Sequence, residues 1–335
     1  MSKGRRLLLR ALLAGAALAV LAWTIAKLGP REVLALALEA DAGLLALSVV
    51  ALVSRSLIWA FKWSRMLRRE RPVPYRDSLR MLMAGFFINL TTPTAKLGGG
   101  VLRAALLRRN HGWGTANAAG WVLADQITNN LGGMLLFGIL ALGGGLLAPV
   151  GGGDAYTITG SLAVGLFFTL VLLRGWVWRA TQRPWFVAAM TRITPARFHQ
   201  VQDGAASAGW LRPLVRPLLV ESRWSDILGA AASFGALCMA NALVLRALGV
   251  DAPLWIVAVA VAIGYLAGNG LGPWGGIGVT EVAMASIYIQ LGIPGEAAAA
   301  GVLLHRAAYY VVGLAWGGVA LLRTGRPTAS PTEGM

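Results

Sequence analysis

The chain has 335 residues, of which 57% are hydrophobic and only 13% charged, with a mean hydropathy of +0.65. A soluble domain carries about 25% charge, so this composition excludes one; long apolar runs without short alternating segments also exclude a β-barrel. The formal net charge of +16 does not point to nucleic acid, because the basic residues fall in short segments between apolar runs, as they do on the cytoplasmic side of membrane proteins.

The pattern therefore predicts an all-α polytopic membrane protein. A basic start (Lys3, Arg5, Arg6, Arg10) leads into an apolar run over about 7–28. The run continues through Trp23 and Ile25, long for a signal peptide, and is read as an uncleaved first span. Gly29-Pro30 ends it. An amphipathic connector over 31–42 carries Glu32, Glu39 and Asp41, and a second span covers about 43–62. A basic loop begins at Lys62-Trp63 and runs through Arg65, Arg68, Arg69, Arg71, Arg76 and Arg80.

Residues 81–109 are apolar at first, break at Thr91-Thr92-Pro93, pass Gly98-Gly99-Gly100 and end in Arg103, Arg108 and Arg109. Both flanks are basic, so one crossing would place a basic flank outside. A re-entrant hairpin keeps both inside, provided its irregular backbone is buried in protein or lines a wet cavity. The stretch 115–148 is apolar, interrupted by Asp125, Asn129 and Asn130, and 157–173 returns to the cytoplasm. Residues 174–223 hold eight arginines and several tryptophans, broken by Pro184, Pro195, Pro213 and Pro217. This mixture reads as an interfacial cytoplasmic linker. A span over 226–249, a second hairpin from 253–270 and 276–292, and a last span over 296–322 follow. No Lys or Arg lies between Arg246 and Arg306, so this hairpin enters from the outside.

The two hairpins share a register. Asn89, Pro93 and Gly98 recur as Asn269, Pro273 and Gly278, at one offset of 180 residues. The same offset aligns Ala105 with Ala285, Gly112 with Gly292, and Gly133 with Gly313. The predicted organisation is two inverted-topology repeats, 1–173 and 224–323, each with a broken re-entrant pair, joined by 174–223 and followed by a disordered cytoplasmic tail, 324–335. Paired Gly/Pro-interrupted apolar segments in two halves of a chain point to a transporter's binding site.

An intramembrane charge costs at least about 2.5–3.5 kcal/mol on insertion scales, so each one is a candidate. Lys96, one of four lysines in the chain, sits in the first break as a ligand for phosphate or a headgroup. Arg103 begins the helix after the glycines and could pin an anionic group. Glu281 starts the helix after the second break, where it suits the helix dipole, could pair with Arg306 or could carry a proton. Asp125 and Arg306 lie almost opposite in the repeat register and could pair across the pseudo-twofold axis. Arg55 lies mid-span and needs an acidic partner or a cavity. Asn89 and Asn269 flank the breaks, whose structural residues are Pro93, Gly98, Gly99, Pro273, Gly276 and Gly278. Half-helix N-termini there would offer backbone N–H groups to an anion. Neither Cys238 nor the scattered His111, His199 and His305 has metal-ligand spacing, and no cofactor is expected.

At these positions the chain resembles the lysylphosphatidylglycerol synthase transmembrane-region family of flippase-like proteins. The matching stretches are Gly85-Phe86-Phe87-Ile88-Asn89-Leu90, Pro93 with Leu97-Gly98-Gly99 and Arg103, Gly275-Gly276-Ile277-Gly278-Val279 with Glu281, and Arg306. The sequence departs from the family at Gly100, where an aspartate is common, at Thr280, where an arginine is common, and at Lys62-Trp63 and Asp125-Gln126. The resemblance covers the chain from the first span to about 322 and implies two inverted repeats with re-entrant helices. It implies a lipid flippase in a bacterial cytoplasmic membrane, with both termini cytoplasmic, moving a lipid with an anionic or aminoacylated headgroup. The alternatives are a glycosyltransferase or synthase component, or an accessory subunit of lipid- or glycolipid-synthesis enzymes. Oligomeric state stays open, a homodimer included.

Overall fold

In the computed structural model, residues 30–92, 97–147, 154–183, 211–271 and 276–324 are described. The predicted first span and most of the tail lie outside them. All regular structure among the described residues is helical. In chain order the helices are α1 (Pro30–Glu39), α2 (Ala42–Leu67), α3 (Tyr75–Thr91), α4 (Leu97–His111), α5 (Thr115–Leu147), α6 (Asp154–Thr181) and α7 (Leu211–Arg216). After a π-helical turn (Pro217–Glu221) come α8 (Trp224–Ala247), α9 (Leu254–Leu271), α10 (Val279–Gln290) and α11 (Gly295–Arg323). Five of these, α2, α5, α6, α8 and α11, are long and apolar enough to cross a membrane.

Asp41 starts α2: its carboxylate accepts from the Leu44 amide at 2.9 Å, satisfying one of the orphan donors of the first turn. Along α2 the exposed Leu47, Val50, Leu57 and Phe61 recur at helical spacing, a lipid-facing stripe. The buried Leu52, Ser56, Ala60, Trp63 and Leu67 form the inner face. The expected basic loop therefore starts later than Lys62. Lys62 and Trp63 are still helical and are buried, because Trp63 and Met66 complete the apolar face for one more turn. Helix α6 likewise runs past 173, to Thr181.

Helices α3 and α4 fold back on each other. Gly85 meets Gly99 and Arg103, and Asn89 meets Gly99. A Cβ on Gly99 would lie 2.1 Å from the Gly85 carbonyl oxygen, so no other residue permits this approach. The Asn89 side chain accepts from the Gly99 amide at 2.8 Å, tying the helix start across the break. Helix α4 begins at Leu97 and takes Gly98 to Gly100 into its first turn, so Arg103 lies one turn further in than the sequence suggested. Helices α9 and α10 pair the same way, with Gly264 against Met284 and Gly268 against Thr280 and Gly276. Gly276 and Gly278 have φ of +89° and +82°, a region L-residues seldom enter.

Helix ends recur at the offset read from the sequence. Leu67 and Ala247, Thr91 and Leu271, and Thr115 and Gly295 are each 180 residues apart. Contacts recur too: α3 packs on α11 as α9 packs on α5, and α1 packs on α11 as α7 packs on α5. Helices α2 and α8, equivalent in this register, pack on each other. They run antiparallel, since Ser233 Oγ bonds the Arg55 carbonyl, Gly229 abuts Lys62, and Arg69 reaches Asp226. One apolar core runs through both halves, from Leu52 and Trp63 to Tyr309 and Ala320.

Candidate functional site

Two buried ion clusters lie at the join of hairpin and long helix in each half. The first centres on Asp125 of α5, which is fully buried. Its carboxylate receives Arg103 Nη1 at 2.6 Å, Lys62 Nζ at 2.9 Å and the Trp59 indole N–H at 3.0 Å. Lys62 also donates to the Asp125 carbonyl, to Thr128 Oγ1 and to Asn129 Oδ1. The Arg103 guanidinium lies 4.8 Å from the centre of the Trp63 ring and 5.7 Å from that of Trp59. A buried charge is tolerated when paired and hydrogen-bonded, and here one carboxylate faces two cations.

The second cluster reverses the polarity. The hairpin helix α10 supplies the carboxylate, Glu281, and the long helix α11 supplies Arg306. Arg306 Nε donates to Glu281 Oε1, and its Nη2 donates to the Tyr310 hydroxyl at 2.9 Å. The rings of Tyr310, Tyr309 and Tyr265 lie 4.9, 5.2 and 5.8 Å from the guanidinium. The other carboxylate oxygen, Oε2, is buried with no hydrogen-bond partner among the described residues. Next along α11, His305 Nε2 sits 3.2 Å from Asn241 Nδ2 and 3.4 Å from the Tyr265 hydroxyl.

Arg55 links the two clusters. Its guanidinium is 5.4 Å from the Trp59 ring, which belongs to the Asp125 cluster, and 5.8 Å from the Tyr309 ring, which belongs to the Arg306 cluster. Arg55, Trp59 and Lys62 share one face of α2 by i, i+4, i+7 spacing. The result is a polar line from Asp125 through Arg55 to Glu281, hydrogen-bonded within each cluster and joined at Arg55 by the faces of Trp59 and Tyr309.

Of the residues singled out in the sequence, Arg55, Arg103, Asp125, Glu281 and Arg306 fall on this line. The Glu281–Arg306 pair that the sequence offered forms; the Asp125–Arg306 pair that it also offered does not. Each takes a nearer partner, because α4 carries Arg103 onto Asp125 and α10 carries Glu281 onto Arg306. Asn89, Gly98 and Gly99 belong to the first hairpin, Gly276 and Gly278 to the turn before α10. Lys96, Pro93 and Pro273 lie outside the described residues, as does the side chain of Asn269. The residues missed were Trp59, Lys62, Thr128, Tyr265, Tyr309 and Tyr310. Lys62 carried a signal, a lysine seven residues after Arg55 on the same helix face. The tyrosines looked like ordinary packing.

Residues 7–317 match the family model of the lysylphosphatidylglycerol synthase transmembrane region. The chain belongs to that family. No curated protein matches it. Membership in the lysylphosphatidylglycerol synthase transmembrane-region family and the five apolar helices make this a multi-pass membrane protein of a lipid-related family. Arg103, Glu281 and Arg306, on which the resemblance rested, are all members of the two ion clusters.

Proposed function

We propose that the protein is a lipid flippase, moving a lipid with a polar headgroup between the leaflets of a bacterial cytoplasmic membrane. The carrying observation is the polar line, which runs from the hairpin of one half to the hairpin of the other through helices that are otherwise apolar. A headgroup bound there sits among charges and aromatic faces while its tails stay in the bilayer.

The proposed topology is two inverted repeats with re-entrant hairpins. Helices α4 and α10, at 15 and 12 residues, are about 22 and 18 Å long, too short for a hydrocarbon core of about 30 Å. Counting each hairpin as entering and leaving on one side, α2, α5, α6 and α8 alternate in direction. Helix α6 makes the count odd, so α8 runs opposite to α2. Their antiparallel packing supports this. The cytoplasmic side is the one where Arg69 meets Asp226 and where Arg174 donates to the Ser222 carbonyl at 3.0 Å, since arginines at the C-terminal ends of α2, α6 and α7 gather there. Both termini then face the cytoplasm. Rocking of one half against the other would expose the line to each leaflet in turn.

The test is leaflet exchange of fluorescent lipids in proteoliposomes, read by dithionite quenching. Protein-dependent loss of signal beyond the outer-leaflet fraction, reduced in Glu281→Gln, is the expected result. Exchange no faster than in protein-free vesicles for anionic, aminoacylated and zwitterionic lipids alike would overturn the flippase reading.

A further inference from the structure

We infer that Arg55 is the seat of a phosphate group, and that the lipid this site prefers carries net negative charge. This deepens the flippase reading and rests on it for the word lipid; the anion site itself stands on geometry alone.

Arg55 is the thirteenth or fourteenth residue from either end of α2, a helix of 26 residues, and so lies about 20 Å from each end. At that depth a cation normally has a carboxylate partner. Arg103 and Lys62 share Asp125, and Arg306 has Glu281. Arg55 has neither an ion pair nor a hydrogen bond to its guanidinium among the described residues; its contacts are the faces of Trp59 and Tyr309. Those rings hold the planar group by cation–π attraction and leave its N–H edge without an acceptor among the described residues. Five donors in a fixed fork match the oxygens of a phosphate diester.

The charge balance points the same way. The line holds four cations, Arg55, Lys62, Arg103 and Arg306, against two carboxylates, Asp125 and Glu281. An anionic headgroup offsets that excess. An aminoacylated headgroup brings a further ammonium into it, where like charges repel strongly for want of water. Arg55 is also only half-buried, so a ligand can reach it, whereas Arg103 and Arg306 are 4% and 3% exposed. The paired arginines hold the helices; the one without a carboxylate is left for the ligand.

The chemistry recognised is a phosphate, and binding measurements separate a lipid source from a free one. Purified full-length protein in maltoside micelles is titrated calorimetrically with dioctanoyl-phosphatidylglycerol, its lysyl ester, dioctanoyl-phosphatidylcholine and inorganic phosphate. Phosphatidylglycerol is expected to bind about ten-fold more tightly than the other three. Arg55→Gln should erase that preference, and Arg246→Gln, an exposed change at the end of α8, should keep it. If Arg55→Gln does not purify as a monodisperse protein, Arg55→Lys keeps the charge but loses the planar fork, and should still weaken binding several-fold. Unchanged phosphatidylglycerol affinity in a folded Arg55 variant, or lysyl ester binding as tightly as phosphatidylglycerol, overturns the proposal. Inorganic phosphate binding as tightly as the lipid overturns its lipid part. Charge-selective binding without leaflet exchange would leave the Arg55 site standing and remove only the flippase reading. Exchange without charge selectivity would do the reverse.

Discussion

Arg69 in the turn after α2 and Asp226 at the start of α8 form a two-pronged ion pair, Nη1 to Oδ2 and Nη2 to Oδ1, both at 2.6 Å. The same arginine donates to the Glu221 carbonyl at 2.7 Å, and Asp226 accepts from the Arg223 amide at 2.9 Å. Four groups, from the turn after α2, the π turn and the start of α8, are thus fixed at one point, where the two halves meet at their basic end. Asp226 is 1% exposed. Replacing Arg69 with Met strands a buried carboxylate, and such losses run to about 3–5 kcal/mol. The expected result is a clear fall in unfolding free energy in detergent, largely recovered in the double variant Arg69→Met with Asp226→Leu. A single variant as stable as wild type would mean that this pair does not hold the halves together.

Asp125→Asn should be more damaging than Lys62→Met. The first change leaves two buried cations, Lys62 and Arg103, without their common carboxylate; the second leaves Asp125 still paired to Arg103. A loss of roughly 3–5 kcal/mol is expected for Asp125→Asn, and a smaller one for Lys62→Met. Thermal unfolding of both variants in the same detergent gives the order, and a reversed order would refute this account of the cluster.

Gly99→Ala should break the first hairpin, because its Cβ would meet the Gly85 carbonyl oxygen and the Asn89 side chain that caps it. Gly143→Ala in α5 is the matched control, since a Cβ there has nothing within 4 Å. The control should be neutral or gain up to about 1 kcal/mol from helix propensity. Protease sensitivity around 92–97 reads the difference. Equal resistance in the two variants would show that the close approach of α3 and α4 is dispensable.

Glu281→Gln should slow leaflet exchange at least ten-fold, about 1.4 kcal/mol in activation free energy, even after correction for the folded fraction. It leaves Arg306 facing three tyrosines without its carboxylate, adding one more positive charge to a line already in excess. Wild-type exchange per folded molecule would make the Glu281–Arg306 pair purely structural.

The sequence by itself determined the class of the protein, the 180-residue register and most of the helices. Those features are written in local chemistry. Twenty-odd apolar residues read as a span, and helix ends that recur 180 residues apart follow a pattern already present in the chain. Sequence also named five of the residues on the polar line, because a charge in an apolar run stands out. What it could not decide was who pairs with whom. It offered Arg306 two partners, Asp125 by register symmetry and Glu281, and the fold brings Glu281 to Arg306 and Arg103 to Asp125. The tertiary structure settled this through the Gly85–Gly99 approach in α3–α4 and the Gly268–Thr280 approach in α9–α10, which set where each short helix lies against its long neighbour. It also turned Lys62 inward from an expected loop and left Arg55 between two aromatic faces. Both outcomes depend on helices far apart in the chain, and no local pattern encodes them.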